Sequence, residues 1–212
     1  MTTDVSENDD KLVALASIAA ELHSVMNVAW GVSLAAKNAK VISAQAGDKG
    51  LGFQPITDFI DEISQLAIKG VNEINESAMR LSKIAVDEQR SYDAYKRFHS
   101  VQVKHKDAEY IDSMASAMDR SESHMVDAFK AFKVSLNKLF ALLDEMNEQM
   151  LSARAVASVS RIVTSDAAEF RNKLEVVANN LDNAAVFIKD KVSDSYQHLD
   201  KVKNLTRGHA SE

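Results

Sequence analysis

The chain has 212 residues, 46% of them hydrophobic, so it is long and apolar enough to bury a sizeable core. Its formal charge of −6 disfavours a nucleic-acid or anionic-membrane partner, because either repels an acidic molecule on average. The complete lack of cysteine removes disulfides, thiolate metal sites and cysteine nucleophiles.

One proline and six glycines leave few breakers, while Ala, Leu, Glu, Lys and Met are plentiful. The class is therefore all-α. Residues 1–8 are polar and expected to be disordered, with Asn8 or Asp9 capping a first helix over about 9–46. Leu12, Leu15, Ala19, Leu22, Met26 and Ala29 set its apolar face at steps of three and four. Near Gly31 the face moves to Val28, Val32, Ala35, Ala39, Ile42 and Ala46, where small side chains let partner helices come close. Trp30 lies off this stripe, as a bundle-edge residue or a partner contact.

Gly47, Gly50 and Gly52 are half of all the glycines, packed into six residues between two long helical patterns. Glycine adopts positive φ at little steric cost, so the run is read as a hairpin tip, with Asp48 and Lys49 facing water. Pro55 follows in the first turn of the returning helix, where its missing N–H is not needed.

The second helix, about 53–103, carries Phe53, Ile56, Ile60, Ile63, Ala67, Gly70, Ile74, Ser77, Leu81 and Ile84 in unbroken heptad register. A repeat of 3.5 residues implies left-handed coiled-coil packing. The basic cluster Lys96, Arg97, His99, Lys104, His105 and Lys106 is flanked by Asp93, Asp107 and Glu109 and reads as a solvated helix end, with a turn at 104–107.

A third helix over 107–157 repeats the heptad through Met114, Met118, Met125, Ala128, Phe132, Leu139, Leu142 and Met146, its methionines serving as adaptable core filler. A break is expected over Ala155–Thr164. Ser165 or Asp166 would cap a fourth helix, about 163–206, with Leu174, Val177, Leu181, Ala184, Ile188, Val192, Leu199 and Val202 inward. Residues 207–212 are expected to be a disordered tail. The expected architecture is an elongated antiparallel four-helix coiled-coil bundle with a glycine hairpin tip, occupying residues 9–206. The alternative is a homodimer of open hairpins, which heptads alone do not exclude.

Asn38, Ala39, Ala44, Ala46, Gly47, Asp48 (in place of the family's Glu), Gly50, Gly52 and Phe53 match, in order and spacing, the signalling tip of methyl-accepting chemotaxis receptors. The stretch resembles that family over about 16 residues, and more loosely from Trp30 to Leu81. The resemblance implies a chemoreceptor-like signalling protein whose tip binds a chemotaxis histidine kinase, its coupling adaptor or chemoreceptors. Asn38 matches a surface position that contacts kinase and adaptor, and Trp30 and Leu34 stand where the family has other large apolar residues. Ile42, Gln45 and Phe59 replace family charges associated with packing receptor dimers into trimers.

Catalytic chemistry has no counterpart in these residues. No Glu-x-x-His pair suits a di-iron bundle, the six histidines form no i, i+4 zinc pair, and the glycine run lacks the Gly-Lys-Ser/Thr ending of a phosphate loop. Neither an enzyme nor a metal or other cofactor is expected. Glu148-Gln149 before Ser152-Ala153 is half of a receptor methylation pattern. No apolar run approaches the roughly 20 residues that span a bilayer, and the N-terminus has no basic, apolar leader. The expected protein is cytoplasmic, not membrane-inserted, and acts by binding; the alternative is a structural scaffold that assembles through its helix faces.

Overall fold

The computed structural model describes residues 3–104, 114–164 and 171–209. Four long helices account for nearly all of them: α1 (Thr3–Gln45), α2 (Gln54–Lys104), α3 (Ala115–Thr164) and α4 (Arg171–His209). Gly47–Phe53 is a 3-10 segment between α1 and α2, and among the described residues only Ala46 is not helical. The helices contain 43, 51, 50 and 39 residues. At 1.5 Å per residue they are about 60 to 75 Å long. The all-α class is therefore what the chain adopts.

The helices pack against one another in a closed circuit, α1 touching α2 and α4, and α3 touching the same two. Side chains three and four residues apart fall on one face of a helix, so each contributes a continuous inner stripe. Leu15, Ile18, Leu22 and Val25 come from α1, and Ile60, Val71, Ile74 and Leu81 from α2. Phe132, Leu139, Leu143 and Met146 come from α3, and Leu174, Leu181, Ile188 and Leu199 from α4. Each such side chain contributes about 1.5–3 kcal/mol by leaving water.

Contacts along each seam run in opposite numerical order. Lys11, Ser33 and Lys40 of α1 meet Glu88, Asp61 and Asp58 of α2. Ser91 of α2 meets His124 of α3, whereas Gly52, just before α2, lies beside Val163. Arg161 and Asp144 of α3 reach Asp182 and Tyr196 of α4, Lys191 of α4 returns to Glu21 of α1, and earlier in α1 Asp10 and Ser17 line a cleft with His198 and Leu205, later in α4.

Several boundaries differ from the sequence reading. Helix α1 already begins at Thr3, so 3–8 are helical and Asn8 and Asp9 lie inside the helix rather than capping it. Helix α3 continues through Thr164, so there is no break at Ala155–Thr164. Ala153, Ala157 and Ser160 keep the inward rhythm there, and Ser160 Oγ donates to the Val156 carbonyl at 2.7 Å. The β-branched and small residues that suggest a break are tolerated because tertiary packing outweighs helix propensity. Helix α4 runs to His209, past the expected end at 206. The turn expected after Lys104 and the caps Ser165 and Asp166 lie outside the described residues.

The apolar character of α1 also exceeds the sequence reading. Asp9–Gln45 is long and apolar enough, by length and composition, to cross a membrane. Glu21 is the one Asp, Glu, Lys or Arg between Leu12 and Ala36, and the many alanines raise the average without forming a solid apolar run. In the fold, the inner face of this helix is covered by the other helices.

Candidate protein-binding site

The glycine turn is built by two different devices. At Gly47 φ is +57°, a left-handed conformation that costs L side chains about 1–2 kcal/mol, and the Ala46 N–H closes the end of α1 on the Ile42 carbonyl at 3.0 Å. At Gly50 the requirement is room. A Cβ there would stand 2.1 Å from the Ser43 carbonyl oxygen, and Ser43 Oγ donates to the Gly50 carbonyl at 2.5 Å. Gly52 needs neither device, since its φ lies outside the left-handed region and a Cβ would meet Val163 Cγ1 at an ordinary 3.4 Å. The reversal therefore uses positive φ once, not at alternating glycines. Phe53 then plugs the core at 1% exposure, and Asp48 faces solvent.

Trp30, Leu34 and Asn38 lie one turn apart on the outward face of α1, and all three are exposed. Trp30 is 55% and Leu34 62% exposed, and Val41 continues the strip at 57%. Alongside, α1 is pinned to α2. Lys40 Nζ donates to Asp58 Oδ1 and Ser33 Oγ to Asp61 Oδ1, both at 2.6 Å, and Gln65 Nε2 donates to Ser33 Oγ at 3.1 Å. The hydrogen bond to Asp58, reinforced by its charge, raises the Lys40 pKa above the usual lysine value. The strip thus sits on an anchored helix rather than a loose one.

Exposed apolar residues also mark the other elements near the turn. Leu51 stands on the 3-10 segment, Phe59 and Leu66 on α2, and Val159 and Ile162 on α3. Val41, Leu51, Phe59 and Ile162 are missed by the sequence reading, which tracks apolar residues on heptad stripes. The available signal is their position off the stripe. Single apolar residues at outward positions are ordinary, and it is their grouping near one end that marks a candidate interaction surface.

The far half differs in character. Lys11 and Glu88 are buried together, and Ser91 Oγ and His124 Nδ1 are 2.8 Å apart across the α2–α3 seam. In the turn half, by contrast, Asp182 accepts from Arg161 and Arg154 across the α3–α4 seam, and chiefly the Arg161 hydrogen bond lowers its pKa below the usual carboxylate value. Burial first, and then the hydrogen bond to Asp144, pushes the Tyr196 phenol up. Within the basic cluster, Lys96 lies over the Tyr92 ring at 4.6 Å and His99 stacks on Tyr95, while His105 and Lys106 fall outside the described residues. Glu148 is exposed, and Gln149 Nε2 reaches Glu145 at 3.4 Å. Among the described residues no three His, Asp or Glu side chains gather as a metal site would need.

The turn end can therefore offer another macromolecule an anchored surface on which exposed apolar side chains stand among paired charges. No family model, curated protein or solved structure matches this chain.

Proposed function

We propose that the chain is an elongated antiparallel four-helix coiled-coil bundle with a glycine hairpin tip, and that it works by binding another protein at that tip. The opposite numerical order of contacts on every seam supports the topology. The observation that carries the binding role is the strip Trp30, Leu34 and Val41, more than half exposed on the half of α1 that leads into the turn. Large apolar side chains on a rigid helix lose little entropy on docking, and tryptophan is among the commonest anchors of protein interfaces.

The partner class follows from the resemblance of Asn38–Phe53 to the chemoreceptor signalling tip. It is a chemotaxis histidine kinase, its coupling adaptor or a chemoreceptor, met in the cytoplasm, with no reaction catalysed by this chain. Trp30 and Leu34 provide the apolar contact and Asn38 the polar one, while Gly47, Gly50 and Phe53 hold the turn's shape. A scaffold role has support of its own in Met79, Val126 and Val134, which are exposed far from the turn.

Calorimetric titration against a purified kinase–adaptor complex tests the proposal. Trp30→Ala is expected to weaken binding at least about tenfold, and Asn38→Asp to weaken it measurably, with melting temperatures nearly unchanged because both side chains are exposed. Wild-type protein that does not bind, or variants that bind as tightly as wild type, would overturn it.

A further inference from the structure

The outward face of α1 is unlike any other surface of the molecule. From Val13 to Leu34 its exposed positions carry no Asp, Glu, Lys or Arg, and His23 is the one titratable side chain among them, whereas the exposed positions of α2 include Asp58, Glu62, Lys69, Glu76, Lys83 and Arg90. An exposed helix face ordinarily keeps its charges because water solvates them. Absence of charge over so long a face is the composition of an interface core.

We propose that this face seats a second copy of the chain, with the two α1 helices antiparallel and the two-fold axis at Asn27. The distribution of sizes about Asn27 selects this occupant. Leu34 and Ala20 are each seven residues from Asn27, and Val41 and Val13 each fourteen, all exposed on the same face. A two-fold at Asn27 lays Leu34 of one copy over Ala20 of the other, large on small, and sets Val41 against Val13. Trp30 comes over Ser24. The axis itself falls on a primary amide, which can donate to and accept from its own symmetry mate.

Area and charge point the same way. From Val13 to Val41 the face is about 42 Å long and about 450 Å² in projection, little more than half of the roughly 800 Å² per partner of a stable interface. The flank of α2 must therefore contribute. A two-fold with this orientation brings α2 of one copy beside α2 of the other, in reverse order. Asp58 and Asp61, near the turn, then lie within a turn of Arg80 and Lys83 of the second copy, so opposite charges meet. A parallel pair would instead set α2 against α4. The dimer covers Trp30 and Leu34, so it competes with any partner that docks on them.

Its test is independent of whether a signalling partner exists. The chain has no cysteine and one tryptophan, so both a disulfide probe and a fluorescence probe are clean. At about 100 μM the mass by sedimentation equilibrium is expected to rise from 23.3 kDa toward twice that value, and the Trp30 emission to shift to the blue. Asn27→Cys, at the axis, should oxidise to a covalent dimer. Leu34→Cys should not, because the two sulfurs would be separated by about 21 Å, far beyond disulfide reach. Ala20→Arg should abolish the dimer with the helical signal and melting temperature retained. The proposal is overturned if the chain stays monomeric, if Leu34→Cys cross-links as readily as Asn27→Cys, or if Trp30 emission shifts only on adding lipid vesicles.

Discussion

Lys11 Nζ lies 3.5 Å from Glu88 Oε2 with both side chains wholly out of water, tying the first turns of α1 to the last third of α2. Phe132 of α3 presents its ring 6.0 Å from the same ammonium. Charges removed from water are costly unless they face each other, so the pair fixes which residues of the two helices can be neighbours.

Glu88→Ala is expected to destabilise the protein by about 3–5 kcal/mol, since it removes the carboxylate that faces a buried ammonium and leaves space in its place. Lys11→Met combined with Glu88→Leu should be neutral to stabilising, because an apolar pair needs no solvation. Urea unfolding of the three proteins checks both statements. A double variant as unstable as the single one would mean that the pair is a net source of stability.

The three glycines of the turn should respond in a graded way. Gly50→Ala drives a Cβ into the Ser43 carbonyl and is expected to cost more than about 2 kcal/mol. Gly47→Ala should cost about 1–2 kcal/mol through its φ of +57°. Gly52→Ala should change stability by less than about 0.5 kcal/mol, its new contact with Val163 being ordinary. Thermal or urea unfolding that ranks Gly52 first would contradict the geometry of the turn.

Stability should fall in acid partly through Asp182. Its native pKa is depressed below 3.8, chiefly by the Arg161 hydrogen bond. A carboxylate of this kind adds stability above its unfolded pKa and loses it as the pH falls through the native value. The advantage of wild type over Asp182→Asn should therefore be constant above about pH 5 and vanish toward about pH 2. With the Asp182 side chain 26% exposed, its size should not exceed about 1 kcal/mol. Equal acid unfolding of the two proteins would show that the ion pair is fully screened.

The helical class, the four-helix count and most inward residues are legible in the chain, because heptad spacing reports directly which side chains share a face. Ile63 and Ile84 show the limit. Both belong to the apolar stripe, yet both are half-buried, while Ile60, Ser64, Leu81 and Ala85 occupy the centre. A helix inside a bundle buries a wider arc than two positions per heptad, so apolar flank residues are easily read as its centre. Ser64 is overlooked because its hydroxyl donates to the Ile60 carbonyl at 2.7 Å and can then be buried. At the turn, Gly47, Gly50 and Gly52 are evident from composition, but which needs φ and which needs space depends on the path of the Ser43 carbonyl. The outward strip is legible only in part, because Trp30 and Leu34 stand out in the receptor-like stretch while Val41 and Phe59 look like ordinary helix residues.

Radical footprinting read by mass spectrometry tests the central claim, binding at the turn end, most directly. Trp30, Leu34 and Leu51 are more than half exposed in the half of the bundle that holds the turn, and Met79, 62% exposed, lies beyond it along α2. At a concentration where the chain is monomeric, adding the chemotaxis kinase–adaptor complex is expected to protect Trp30, Leu34 and Leu51 and leave Met79 as reactive as before. Protection of Met79, or unchanged labelling of Trp30 and Leu34, would contradict the account.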